Sequence, residues 1–494
     1  MDIKKYKALY LFSGIGGGAL GFQEAKEEYK GVQGTFETIC GIDCVPEICQ
    51  DFEYITGSRA ECMDLFSREQ YIDFHGKEPR EDWREVSPGD IKKTCRGSYP
   101  DVVFTSPPCK GFSGLLPEES AKTKKYQALN KLTIRGIELV CEAFKDNLPS
   151  LILLENVPRI TTRGKKFLTE IKETLASYGY LFSEGYHDCG EIGGLAQHRK
   201  RYLLIARNPK KLYGFVYEPF KQRVRAIGEV LKNIPLPDDL NMGPMHRLPR
   251  LQWKTWVRLA LIPAGGDWRD LEEGNVNRHT SHFRIVPWEE ASGTVTGASH
   301  VANGLISVQD IRLNERKKRY PGLYKVVKMD EPSPTIIGQT DIQCGALSIA
   351  DVRINNKPRA GTYGVMKWDE PSKTVVGNSD IHAGCAAIGD IRIPKDTDRL
   401  DPPPVIIALD NTWHRPVTTL ELALLQGLPL YIDGQPLKLS GKNDGEWRER
   451  IGNMVPKDAA TAIGETMLRA MLPQEKNEMV LGYTPIWVRD SIYL

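Results

Sequence analysis

The residues best suited to chemistry in this 494-residue chain stand at the ends of apolar runs. Thr105-Ser106-Pro107-Pro108-Cys109-Lys110-Gly111-Phe112-Ser113 directly follows Val102 to Phe104, so a cysteine sits on a stiff double-proline turn where a strand should end. A buried, inert thiol is the ordinary use of cysteine. Lys110 beside it and the glycine that follows favour an exposed, stabilised thiolate, the form that acts as a nucleophile. Leu154-Glu155-Asn156-Val157-Pro158 places an acid at the end of another such run. An uncompensated carboxylate there is costly if buried, so Glu155 either binds a cationic group or works protonated. In Gln197-His198-Arg199-Lys200-Arg201 the alternation puts Gln197, Arg199 and Arg201 on one strand face, with a solvated charged strand as the plain alternative. The turn Leu11-Phe12-Ser13-Gly14-Ile15-Gly16-Gly17-Gly18 leaves a strand and opens a helix, where backbone can approach a nucleotide-like ligand. Gly41-Ile42-Asp43 then puts an acid at the next strand end, the place of a ribose hydroxyl acceptor. No Lys-Ser/Thr pair follows the glycines, which argues against a P-loop. The pair of signals suggests an adenosine-containing cofactor, against a merely structural glycine turn.

These groups need a sheet whose strands end along one edge. Ala8 to Phe12, Thr38 to Ile42, Val102 to Thr105, Leu151 to Leu154 and Tyr202 to Ala206 are apolar runs of strand length. Ala19 to Tyr29, Leu129 to Phe144 and Phe167 to Tyr178 carry helical periods. Alternating strands and helices predict an α/β fold with a largely parallel sheet and covering helices. The polar stretch Ser67 to Ser98 breaks the rhythm and reads as a surface insertion.

Length alone implies two or three modules. Hydrophobic residues at 40% and charged residues at 26% exclude wholesale disorder, collagen and a polytopic membrane protein. Sixty-six basic and 64 acidic residues leave a formal charge of +2, so a nucleic-acid partner would have to meet a local basic surface. Ten scattered cysteines read as reduced intracellular thiols, and Cys40, Cys44 and Cys49 lack the second cluster that a zinc site needs. Lys4, Lys5 and Lys7 precede an apolar run as in a signal peptide, but the run dissolves into glycines and charge, which predicts a buried strand and a cytoplasmic protein.

Beyond residue 210 prolines, glycines and tryptophans accumulate and a repeat emerges. Segments 283–313, 324–354 and 363–393 align, with Asp310, Asp351 and Asp390 opening Asp-Ile/Val-Arg motifs that lie 41 and 39 residues apart by subtraction. A stack of β units sharing a core is the plain reading. The sharper one has loops at Ser299-His300, Gln339-Thr340 and Asn378-Ser379 reading base edges.

Taken in order, Phe12-Ser13-Gly14-Ile15-Gly16, Pro108-Cys109, Glu155-Asn156-Val157, Gln197 to Arg201, Arg415-Pro416-Val417-Thr418-Thr419-Leu420-Glu421 and Gly452-Asn453-Met454-Val455-Pro456 resemble the signatures of the DNA (cytosine-5) methyltransferase family. The resemblance covers about residues 7–207 and 411–470. It implies a Rossmann-like methyltransferase domain, 1–207, with a mixed seven-stranded sheet between helices. A β-rich target-recognition lobe would span 208–410, and 411–494 would return to the sheet. It implies Cys109 as nucleophile on C6 of cytosine, Glu155 at N3 and the 4-amino group, and Arg201 with Arg199 orienting both. S-adenosylmethionine would lie against Phe12, Gly14, Ile15 and Gly17, with Asp43 at the ribose and Leu132, Asn453 and Val455 around it; no metal is called for. Asp64 best matches the acid at the adenine amine, with Asp90 a rival.

The implied partner is double-stranded DNA with its target cytosine flipped out, and Lys110 to Lys125 resembles the loop that closes over it. Arg199, Lys200, Arg201, Lys210, Lys211, Arg223, Arg225 and the run Arg316-Lys317-Lys318-Arg319 are available for phosphates. A monomer in the cytoplasm or on the nucleoid of a bacterial or phage-infected cell is the expectation, and a cognate restriction endonuclease is left open. Three departures stand out: Tyr10 where an acid is usual, Cys44 where a bulky residue usually follows Asp43, and Lys110 where glutamine usually follows the cysteine. A tRNA substrate and a catalytically silent DNA binder are the alternatives.

Overall fold

A computed structural model describes residues 2–108, 112, 123–248, 256, 260, 326–327, 348–349, 364–373, 387–392 and 413–488. The chain divides into two compact units, one formed by 1–225, 374–377 and 423–494, the other by 226–373 and 378–422.

The first unit is built on a mixed sheet. Its strands are β1 (Asp2–Leu11), β2 (Lys26–Tyr29), β3 (Val32–Asp43), β4 (Ala60–Cys62), β5 (Val102–Thr105), β6 (Leu151–Asn156), β7 (Leu181–Asp188) and β8 (Lys200–Arg207). Seven follow the order β2-β3-β1-β5-β6-β8-β7, and β4 pairs with the end of β3 as an eighth. The central neighbours β3, β1, β5 and β6 are parallel, so Asp43, Leu11, Thr105 and Asn156 end along one edge. β8 runs antiparallel between β6 and β7.

These strands read as continuous apolar runs because both faces are buried. Alternate residues divide cleanly: Ala8, Tyr10, Val102, Phe104, Leu151 and Leu153 enter one core, and Leu9, Leu11, Val103, Ile152 and Leu154 the other. The first core is closed by α1 (Gly17–Glu24) and by α8 (Lys457–Met471) through Phe22, Ala459, Ile463 and Met467. The second is closed by α5 (Lys124–Ala143) and α6 (Lys165–Ser177) through Leu132, Ile137, Phe167 and Ile171. Helix α2 (Pro46–Thr56) follows β3, and α7 (Asp444–Asn453) precedes α8.

One expectation needs correction. The helix predicted over Ala19 to Tyr29 stops at Glu24, and Lys26 to Tyr29 form the antiparallel edge strand β2. Ala25 leaves the helix with φ −63° and ψ 131°, and Lys30 and Gly31, at φ 46° and 81°, make the tight turn back into β3. The insertion is also more than solvated surface. It forms α3 (Arg68–His75) and α4 (Pro88–Thr94), each opened by a capping box, Ser67 with Gln70 and Ser87 with Asp90. Phe66, Val86 and Ile91 are buried in the core beneath α5.

In the second unit, the short helix Ile227–Leu231 and several strands are described. Val326 pairs in parallel with Ser348, and Val365 with Ala387, each 22 residues apart by subtraction. The second and third repeats therefore share this pairing. Strand Ala387–Asp390 also runs antiparallel to Trp413–Pro416. The first repeat, the three loops proposed to read bases, and Arg316 to Arg319 lie outside the described residues. Among the described residues no helix is long and apolar enough to cross a membrane.

Candidate active site

The glycine turn is held by Asp43. Its Oδ2 accepts the Gly14 N–H at 3.1 Å, and its Oδ1 accepts Cys44 N–H at 2.8 Å and Val45 N–H at 3.3 Å. Burial raises the Asp43 pKa, and the three backbone donors only partly offset that rise. Phe12 sits at φ 53°, a conformation costly for an aromatic residue, and its ring lies against Gly136 of α5, where a Cβ would come within 3.1 Å of it. Gly14, at φ 54°, has open space where its side chain would be. Gly17 has none: a Cβ there would meet the Val455 carbonyl at 2.4 Å and the Met454 side chain at 2.5 Å. The glycine therefore lets α1 abut the Gly452 to Pro456 segment.

Ile15, Leu132 and Val455 are buried beside this turn or on the helices that meet it, and Asn453 is exposed at the end of α7. The Ser13 hydroxyl is buried with no hydrogen-bond partner. An open cradle over Gly14, an orphaned hydroxyl and the Asp43 carboxylate together fit an adenosine-bearing group.

The two candidate adenine acids are separated by their surroundings. Asp64 follows β4, whose end is tied to Asp43 by the Met63 N–H to Asp43 O bond of 2.8 Å. Its Oδ1 accepts Phe66 N–H at 3.0 Å and its Oδ2 accepts the Trp83 indole N–H at 3.2 Å. Asp90 is engaged elsewhere. It caps α4 through Ser87 and takes both Arg84 amino groups at 2.8 Å, which hold its carboxyl well below the usual carboxylate range.

Next along the edge, Ser106 donates its hydroxyl to the Phe12 carbonyl at 3.0 Å, so the Pro107-Pro108 turn leaves β5 beside the glycine turn. Cys109 follows immediately and lies outside the described residues, as do Lys110 and most of the segment to residue 122. Glu155, at the end of β6, forms an ion pair with Arg201 of β8, Oε1 to Nε at 2.8 Å, with both side chains about nine-tenths buried. Among the described residues Glu155 Oε2 has no hydrogen bond. Asn156 Nδ2 beside it is buried and also without a partner.

Arg199, on the same strand face, does different work. Its Nη2 donates to the carbonyls of Gly452 at 2.8 Å and Met454 at 3.0 Å, which flank Asn453. Gln197 is buried too, donating to Leu425 O at 3.1 Å and Gln426 Oε1 at 2.7 Å. The Gln-x-Arg-x-Arg segment thus latches the returning C-terminal chain and leaves Arg201 facing Glu155. Of the basic residues offered for phosphates, Lys200 and Lys210 are exposed, whereas Arg225 is engaged with Gly194 O and Asp458.

Among the described residues the other thiols are poor nucleophiles. Burial pushes Cys40 and Cys189 up to about 11 and Cys44, Cys49, Cys95 and Cys141 to about 12. Among the described residues no cluster of His, Cys, Asp and Glu could hold a metal ion. Trp83 lies in no motif and Ser13 only at a variable position of the glycine turn; the bond from Trp83 to Asp64 spans 19 residues that include α3.

Residues 6–243 match the family described as C-5 cytosine-specific DNA methylase. The match spans just under half of the chain. The chain is similar to the type II methyltransferase M.NgoBI of Neisseria gonorrhoeae, 29% identical over 280 residues, 55% of this chain and 71% of that protein. It also resembles the type II methyltransferase M1.BsuMI of Bacillus subtilis (strain 168), 27% identical over 204 residues, 40% of this chain and 45% of that protein. The chain thus spans less than half the length of the second relative and over two thirds of the first. The methyltransferase fold is shared with the Entamoeba histolytica methyltransferase EhMeth at a TM-score of 0.52 and 13% identity, over 96% of this chain and 100% of that one. Along the edge from Asp43 past Pro108 to Glu155 the structure brings together the glycine turn, the two acids and the Arg201 cation.

Proposed function

We propose that this protein transfers a methyl group from S-adenosylmethionine to C5 of a cytosine flipped out of duplex DNA, with Cys109 as the nucleophile. The observation that carries the reading is the Glu155-Arg201 pair, a carboxylate with one oxygen engaged and one available, on the same sheet edge as the Gly14-Asp43 cradle.

C5 of cytosine is a weak nucleophile, so the ring must first be made electron-rich. The Cys109 thiolate adds to C6 and leaves the ring as an enamine. Glu155 holds the N3 and 4-amino edge, sharing a proton with N3 as electron density builds there. Arg201 fixes the Glu155 carboxylate and keeps a positive charge beside it. Asp43 and the turn from Phe12 to Gly17 would hold the adenosine end of the cofactor, and Asp64 would accept from its amine. When bound, S-adenosylmethionine supplies an electrophilic methyl on sulfur. Loss of the C5 proton and expulsion of Cys109 then restore the aromatic ring. Neither atom is reachable in a stacked base, so the cytosine must leave the duplex.

The test is transfer of labelled methyl to duplex DNA by wild type and Cys109→Ser, followed by bisulfite sequencing. C5 methylation that disappears in the variant is expected. Transfer to tRNA with none to any duplex, or no transfer by a folded protein that binds cofactor, overturns the DNA reading.

A further inference from the structure

We propose that Trp83, delivered by the insertion between β4 and β5, is a cofactor-site residue that positions Asp64 and offers an aromatic face at the adenine end, where Cys44 offers only a small side chain. The inference rests on the reading of Asp64 as the acceptor of the adenine amine. Three observations lead to it.

The first is the bond itself. The Trp83 indole N–H donates to Asp64 Oδ2 at 3.2 Å while the Phe66 N–H takes Oδ1 at 3.0 Å, so the carboxylate is fixed at both oxygens. Each oxygen keeps a further lone pair with which to accept from an amine. A free carboxylate on a loop would rotate, whereas this one is oriented before any ligand arrives.

The second is that the insertion is built to hold the indole there. Arg135 of α5 donates its Nε to Leu65 O at 2.8 Å and its Nη2 to Val86 O at 2.9 Å, and pairs with Glu85 at 2.8 Å. One guanidinium therefore clamps both ends of the stretch that carries Trp83. The Trp83 ring packs on Tyr71 with centroids 5.0 Å apart, and Tyr71 on His75 at 4.2 Å. A turn bond from Trp83 N to Arg80 O at 3.0 Å fixes the backbone.

The third is the gap at position 44. Cys44, directly after Asp43, brings only a small, exposed thiol to this end of the site. Trp83 is only partly buried, so an aromatic face remains for a planar base at the acid it contacts.

The experiment titrates S-adenosylhomocysteine and its hypoxanthine counterpart, S-inosylhomocysteine, into wild type, Trp83→Phe and Trp83→Ala by calorimetry. The hypoxanthine ligand replaces the amine donor with an acceptor oxygen and turns N1 from acceptor to donor, so its ratio of affinity to the adenine ligand reads the base edge that Asp64 is placed to meet. Wild type should prefer adenine. Trp83→Phe keeps a ring and loses the N–H, and should shrink that preference by about tenfold. Trp83→Ala should shrink it equally and weaken both ligands further. A Trp83→Phe protein that melts like wild type and keeps the full preference overturns the proposal, as does an equal loss for both ligands in both variants, the mark of a merely structural residue. If wild type binds neither ligand, the cofactor reading itself fails, and this inference with it.

Discussion

Two carboxylate-guanidinium pairs in this molecule look alike in sequence and differ in what they leave over. In the second unit Arg415 and Glu421 are completely buried. Arg415 gives Nη1 and Nη2 to the two Glu421 oxygens at 2.9 and 2.7 Å and its Nε to Asp390 at 2.9 Å, while the Thr418 N–H donates to Glu421 at 2.8 Å. Asp390 opens the Asp-Ile-Arg motif of the third repeat and also takes Arg392, which reaches on to Leu231 O and Ile234 O. Every oxygen of Glu421 is satisfied, so the cluster can do nothing but hold strands together. In the first unit Glu155 meets Arg201 through one oxygen and keeps the other for a ligand. A pair that consumes its acid is architecture, and a pair that leaves an acceptor open at a sheet edge is available for chemistry.

Glu155→Gln breaks the comparison most directly. It should lower methyl transfer by about 10²- to 10⁴-fold, the usual range for losing a group that handles a proton, in protein that still folds. A variant that transfers normally would put Glu155 in the same structural class as Glu421. Arg415→Ala is the mirror experiment. Removing one partner of a buried pair leaves uncompensated charge, so urea unfolding should show a loss of about 3–5 kcal/mol, carried by the second unit. A loss under about 1 kcal/mol would mean that water reaches the cluster.

How much of this was legible in sequence depends on whether a residue's role is local. β1, β5, β6 and β8 were readable because both of their faces are buried, which forces uninterrupted apolar runs. β7 was not, since Phe182-Ser183-Glu184-Gly185-Tyr186 is an edge strand with mixed faces. β2 reads as helix because Lys26-Glu27-Glu28 continues a charged period, and only the Lys30-Gly31 turn betrays the hairpin. In the site, Asp43 and the glycine turn are neighbours across a parallel pair and could be paired from spacing. Arg199 and Arg201 share a face by alternation, yet one reaches residues 452 and 454 and the other Glu155. Strand period sets direction, not the partner that another segment brings. Trp83 was invisible for the same reason: only the clamp of Arg135 on Leu65 and Val86 places it at Asp64.

Acid sharpens the contrast between the two pairs by a somewhat smaller amount. Burial alone would raise the Glu421 pKa, but the charge and hydrogen bonds of Arg415 outweigh it and hold the group at about 2 against an ordinary 4.5. A folded-state pKa below the unfolded one means that the unfolded chain binds the proton more readily. The stabilisation is therefore complete above about 4.5 and is lost as pH falls toward about 2, on the order of 3 kcal/mol in all. Denaturant melts of wild type between pH 6 and about 2.5 should show this fall, and Glu421→Gln should flatten it. A slope unchanged by that substitution would assign the acid sensitivity to other carboxylates.

The smallest effect belongs to Asp90, and it sharpens the comparison on the cofactor side. Asp64 and Asp90 both follow Asp43, and the sequence offers Asp64 as the better match to the adenine amine with Asp90 as its rival. Asp90 resembles Glu421 in kind: its oxygens are taken by Ser87 and by both amino groups of Arg84, although at the surface. Asp64 resembles Glu155, fixed by neighbours yet with acceptor capacity to spare. Asp64→Ala should therefore weaken S-adenosylhomocysteine about tenfold in a calorimetric titration. Asp90→Ala should leave that affinity unchanged and lower stability by about 1 kcal/mol or less, the worth of a helix cap. The reverse result, affinity lost with Asp90 and kept with Asp64, would mean that the α4 cap opens when cofactor binds. The rule that a fully engaged carboxylate is architecture would then hold only for the buried one.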